Sequence, residues 1–371
     1  MNEQSNLISF SGLSAIGALP FLVLPAFMAS SHVSGDDAIL LVSSLAIALT
    51  VGEFLSSVVC PKFTRISLKN AIFASFALGV LLTVCSLGAS FLELIIWTLV
   101  GFLGGAMQYL ATTFAACCKH PSIATQLRLS FSMLLSGGMI TTSAIWISAG
   151  FDIIKYGMSC LAILPALVAF IFQPSERNLP KDKALPKSKS AKASFGTVLM
   201  AHSSICFFYF AIIPFLTVLP VVITAQNASL TAFQIGMGKI LAMPLLLLLS
   251  KYNRVMDLKF AATFFGLLLC SSGFMIVFQT SITSFVLFEF SANTCAAILI
   301  GRYGTLLKPR DIRWFFLFIQ IGTVLGFFVL SILERLFIDM SWISYALIIP
   351  AFFMMFCPAP ERRKTYLKLS S

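Results

Sequence analysis

Apolar residues run along this chain in long blocks and not in alternation. The blocks lie near 8–31, 38–60, 70–89, 91–117, 126–149 and 153–173, then near 196–223, 231–250, 260–278, 281–301, 314–333 and 341–358. A helix needs about 20 apolar residues to cross a bilayer core about 30 Å thick, and every block comes close to that length or exceeds it. Strands of a membrane barrel would alternate with period two over about ten residues. The pattern therefore predicts an all-α membrane protein with twelve transmembrane helices. The one sizeable polar stretch, "QPSERNLPKDKALPKSKSAKASF" at 173–195, carries the prolines and lysines of a flexible connector. It divides the chain into a first six-helix bundle at 1–173, a linker at 174–195, and a second six-helix bundle with a short basic tail at 196–371.

Charge adds an orientation. All but three of the 25 Lys and Arg fall after the even-numbered spans or in the tail, the exceptions being Lys155, Lys239 and Arg335. Lys and Arg mark cytoplasmic loops, so both termini are expected in the cytoplasm. The opposite side collects Asp36, Asp37, Glu93, Asp152, Glu334 and Asp339. The opening "MNEQSNLISF" has no basic n-region and reads as the start of a first membrane helix, not as a cleaved signal.

Composition agrees with lipid as the main neighbour. The chain is 58% hydrophobic and 11% charged, where a soluble domain carries roughly a quarter charged residues. The net charge of +11 is spread over short loops, not gathered into the soluble basic patch that nucleic acid requires. The basic linker suits anionic lipid head groups. The nine cysteines sit in or beside apolar blocks without metal-ligand spacing, so neither a metal nor another cofactor is expected. A Gly-rich phosphate loop ending in Lys and Ser or Thr is absent, which removes an ATP-driven pump. The compact loops suit a bacterial inner membrane, and a monomer is expected.

The two halves echo one another. "KFTR" at 62–65 follows the second block and "KYNR" at 251–254 the eighth; the same offset carries Pro25 onto Pro214 and Lys119 onto Lys308. Arg128 precedes Gly137 by nine residues, as Arg313 precedes Gly322. Loop chemistry alone accounts for one basic match, but not for paired prolines inside the first and seventh spans, where proline distorts a helix.

Two parallel six-helix halves joined by a cytoplasmic loop resemble the major facilitator superfamily over nearly the whole chain. That family's loop Gly-x-x-x-Asp-Arg-x-Gly-Arg falls here on Ser57, Pro61, Lys62, Thr64 and Arg65. Its Arg-x-x-x-Gly-x-x-Gly pattern in the fourth helix falls on Trp97, Gly101 and Gly104, and Gly137 and Gly138 remain where the antiporter signature would lie. The resemblance implies a secondary transporter working by alternating access, with a central cavity lined by the first, fourth, seventh and tenth helices. It implies no enzymatic activity. A transport-inactive sensor of the same architecture and a membrane-embedded lipid-modifying enzyme are the alternatives; the enzyme would need a cluster of His, Asp or Glu at the interface.

Ionised groups at mid-membrane are costly and usually functional. Three belong here: Glu53 lies nine residues before Lys62, Lys239 twelve before Lys251, and Glu289 thirteen before Arg302. At 1.5 Å per residue each is roughly 13–20 Å deep. Together with Gln108, His202 and Asn293, they are the candidates for binding a solute or coupling its movement to a proton. Exposure of Lys239 to the cavity would favour an anionic or zwitterionic small organic solute. Lys62, Arg65, Lys251 and Arg254 are candidates for a conformational latch or for anchors to head groups. Pro25 and Pro214 are candidate helix breaks where unwound backbone meets the solute.

Overall fold

The computed structural model describes residues 12, 15–20, 24, 35–59, 65–87, 90–117, 121–146, 150–171, 195–217, 228–251, 259–278, 283–306, 309–335 and 345–356. Among these, eleven helices follow a short helical stretch at 15–20 that lies in the first predicted span. They are α1 (Gly35–Val59), α2 (Arg65–Thr83), α3 (Phe91–Cys117), α4 (Pro121–Trp146), α5 (Phe151–Ile171), α6 (Phe195–Thr217), α7 (Ala228–Lys251), α8 (Lys259–Val277), α9 (Ser284–Leu306), α10 (Pro309–Arg335) and α11 (Ile348–Phe356). Each corresponds to one predicted span, α1 to the second and α11 to the twelfth, and no strand occurs among the described residues.

Local chemistry sets the helix starts. Pro121 and Pro309 stand at the first positions of α4 and α10, where proline's missing N–H costs nothing. Ser90 and Glu93 form a capping box at the head of α3: the Ser90 amide donates to Glu93 Oε2 at 3.0 Å, and the Glu93 amide reaches Ser90 Oγ at 3.4 Å. Gly150 precedes α5 with a φ of 89°, which favours glycine. Two predicted boundaries need correction. The α4 helix begins at Pro121 and not at 126, so Arg128 lies two turns inside it and not at its mouth. The break expected at Pro214 is absent, because α6 runs through that residue to Thr217. The α7 helix carries an interior proline, Pro244.

Packing repeats between the halves. In the first, α3 lies against α1 and α2, and α2 against α5; in the second, α9 lies against α7 and α8, and α8 against α11. Within each half, small residues allow close approach, and in the first half serines tie one helix to another's backbone: Ser75 Oγ donates to the Ala162 carbonyl at 2.8 Å and Ser159 Oγ to the Gly79 carbonyl at 2.6 Å, joining α2 to α5. The halves meet mainly where α4 packs on α7 and α1 on α10. Large apolar side chains cover the outside, with Phe73, Phe91, Phe195 and Phe260 each more than 70% exposed. Water would not tolerate such a surface, whereas lipid suits it. Four helices contain stretches long and apolar enough to cross a membrane by themselves: Leu40–Val59, Phe91–Thr113, Phe195–Ile212 and Phe260–Val277. The chain is a multi-pass membrane protein.

Candidate functional site

Charged side chains withdrawn from the surface gather near the faces where the halves meet. On α7, Lys239 sits beside a seam of small residues: a Cβ added to Gly137 of α4 would come within 2.8 Å of the Gly236 carbonyl and 3.0 Å of Lys239 Cβ. Lys239 Nζ reaches Glu289 Oε2 on α9 at 2.7 Å, with both side chains almost fully enclosed. Asn293, one turn further along α9, donates Nδ2 to the Glu289 carbonyl at 2.6 Å and to the same Oε2 at 3.1 Å. Thus Lys239 pairs with Glu289 and not with Glu53. This arrangement is an ion pair with a third donor, and an ion pair buried in low dielectric persists only when such hydrogen bonds complete it.

Glu53 lies in a second cluster. It is buried on α1, where Gly105 of α3 brings the two helices together: an added Cβ at Gly105 would lie 2.9 Å from the Glu53 amide nitrogen. Gln320 of α10, in the other half, hydrogen-bonds the Glu53 carboxyl, and the charge of Arg128 on α4 acts on it. Its Oε2 meets no hydrogen-bond donor among the described residues. The buried guanidinium of Arg128 donates to Thr112 Oγ1 and, at 3.4 Å, to the Gln108 carbonyl, both on α3. Tyr209 of α6 also feels that charge. Five helices, three from the first half and two from the second, therefore converge on one polar group.

The remaining candidates divide. Gln108 is half-buried, and it is its backbone carbonyl that Arg128 engages. His202 is buried on α6, with Nδ1 2.6 Å from the Val198 carbonyl and its ring edge-on to Phe318 at 4.9 Å. Arg65 opens α2 and Lys251 closes α7; Lys62, Arg254 and Pro25 lie outside the described residues. Sequence reasoning missed Arg128 as a site residue, having counted it with the loop cations. The available signal was Pro121: a proline at a first helical position puts Arg128 two turns into the membrane.

The arrangement of helices was compared with solved structures. It superposes on the xylose transporter XylE from E. coli, captured in a partially occluded inward-open conformation, with a TM-score of 0.65 and 15% identity over 95% of this chain and 99% of that one. It also superposes on the E. coli fucose:proton symporter FucP, with a TM-score of 0.60 and 13% identity over 95% and 97% of the two chains. This chain has the major facilitator fold. No protein-family model and no curated protein matches the sequence. The Glu53 cluster joins helices of both halves, whereas the Lys239–Glu289 pair lies within the second half, beside its contact with α4.

Proposed function

We propose that this protein is a secondary active transporter that moves a small organic solute by alternating access, coupled to protons. The observation that carries this reading is the concentration of buried ionisable groups, Glu53, Arg128, Lys239 and Glu289, at or beside faces shared by the two halves of a major facilitator fold. Lipid-facing positions hold none of them. Such groups are expensive in a membrane and belong where a solute, an ion or a moving interface repays them. The small-residue seam at Gly137 and Gly236 lets α4 and α7 slide closely past one another, as a rocking motion requires. The asymmetry of Lys and Arg supports both termini in the cytoplasm, and the compact loops suit a bacterial inner membrane.

The test is flux in proteoliposomes. The purified full chain should move at least one member of a panel of sugars, organic anions and zwitterions, faster under an inward proton gradient than without one. Saturable binding of a solute with no flux in any mode would instead identify a sensor.

A further inference from the structure

Alternating access needs a stretch of the pathway that is covered in one state and open in another, and α9 holds such a stretch. Every residue from Ser291 to Ile300 is buried, a length of about 15 Å at 1.5 Å per residue. The neighbouring α8 differs, with Phe260, Phe264 and Leu267 exposed on it. Cover for α9 comes from α6, α7 and α8 of its own half and from α4 of the other. Of these, α7 is closely packed at its middle and weakened just beyond. Gly236 lies against Gly137 and Thr141 of α4, Gly238 lies against Val286 of α9, and Lys239 Nζ reaches Glu289. Pro244 follows five residues after Lys239. Proline has no N–H to give the Ile240 carbonyl, and its ring crowds that carbonyl. The helical ladder is therefore interrupted about one turn past the last of these contacts.

We propose that α7 is hinged at Pro244, and that Pro244–Lys251 is a flap over residues 291–300 of α9, closed here and swung aside to open the pathway at that end. The faces of α7 carry the argument. Pro244 is exposed, whereas Ala242 and Leu246 are fully enclosed. Two residues in either direction is a rotation of about 200°, so both stand on the face opposite the proline. The eighth and tenth spans run in the same direction, and Lys239 meets Glu289; the flap is therefore level with the enclosed stretch of α9. Crowding at the Ile240 carbonyl, on the exposed side, tilts the flap toward its enclosed face and so toward its neighbours. Sliding of α4 along the Gly137–Gly236 seam keeps those backbones in contact, so the bend at Pro244 is what uncovers α9 beyond it. The charge pattern makes that end the cytoplasmic one. The proposal deepens the transporter reading, on which the flap's role in a pathway rests.

Hydrogen–deuterium exchange of the full-length protein in lipid nanodiscs tests the hinge without any solute, because exchange reports local opening. In the wild type, the 245–251 and 291–300 segments should exchange together and faster than 230–240. Pro244→Ala gives the Ile240 carbonyl a hydrogen-bond donor, worth about fivefold in an opening equilibrium. It should slow both segments by about that factor and leave 230–240 unchanged. Leu246→Ala, a second variant, removes the enclosed side chain of the flap and should speed exchange at 291–300 by about tenfold or more, with 70–83 of α2 unchanged. Slowing confined to 245–251 in Pro244→Ala, or no slowing, overturns the proposal, since α9 then opens without the flap. So does a Leu246→Ala protein in which 291–300 is unmoved or α2 loosens equally. If exchange behaves as expected while no solute crosses a liposome membrane, the transporter reading falls and the hinge stands; flux with α9 exchange indifferent to Pro244→Ala gives the reverse.

Discussion

Removing either member of the Lys239–Glu289 pair should be far more damaging than removing both. The ions are 2.7 Å apart, and their side chains are 3% and 2% exposed. At an effective dielectric of about 20, Coulomb attraction at that distance is about 6 kcal/mol. Against this stands a desolvation penalty of several kcal/mol for each ion, so the net value of the intact pair is small. A single substitution keeps the penalty and loses the attraction. Lys239→Met and Glu289→Leu should each cost about 3–5 kcal/mol, whereas the double variant should stay within about 2 kcal/mol of the wild type. In Lys239→Met, Asn293 still donates to the orphaned carboxylate, which places that variant at the lower end.

Equilibrium unfolding in mixed detergent and SDS across the four proteins gives the coupling energy directly. A coupling below about 1 kcal/mol, or a double variant as unstable as the sum of the singles, would refute the claim that each ion is held in low dielectric by the other. It would mean that water reaches the pair.

Two further predictions concern how closely the helices approach. Gly105→Ala would drive a methyl group into the Leu49 carbonyl across the α1–α3 contact, while Gly138 has open space around its Cβ position. Gly105→Ala should therefore lose folded yield or at least about 1–3 kcal/mol, and Gly138→Ala should match the wild type in a size-exclusion and thermal-melt comparison. Ser159→Ala removes the hydroxyl that bonds the Gly79 carbonyl at 2.6 Å; inside a membrane such a bond averages about 0.6 kcal/mol, so the melt should shift slightly and solute flux should persist.

The helices were legible because lipid demands them: continuous apolar blocks have no other stable form in a bilayer, and α3 begins and ends where its block does. The site was legible only in part. Glu53, Lys239 and Glu289 stand out as charges in apolar surroundings, but their pairing does not, because depth along a helix says nothing about which neighbour a side chain meets. The loop-like count of cations concealed Arg128, since a positive charge near a cytoplasmic end satisfies the orientation rule whether it faces head groups or an acid. Pro214 misled in the opposite way: it lies close enough to the end of α6 that the helix absorbs it, while the interior proline of α7, Pro244, had no counterpart to draw attention to it.

The register of the repeat can now be read from contacts and not from loops. Gly52 of α1 approaches the backbone of Phe102 on α3, and Gly238 of α7 approaches the backbone of Val286 on α9. The alignment that superposes these two glycines also superposes the next residues, Glu53 in "VGEF" and Lys239 in "MGKI". The two halves therefore retain one backbone device, a glycine that brings two helices together, and follow it with opposite charges. What faces each charge differs too. Gly238 meets Glu289 Cβ at 2.6 Å from its own Cβ position, whereas the residue that meets the backbone at Glu53 is Gly105. The second half thus supplies its base with an acid from within the same bundle, and that pair is complete. The first half has a glycine in the corresponding place, so its acid depends on Arg128 from another helix and on Gln320 from the opposite half. The two halves thus carry an ion pair closed within the second half and an acid of the first half whose hydrogen bond comes from the other half.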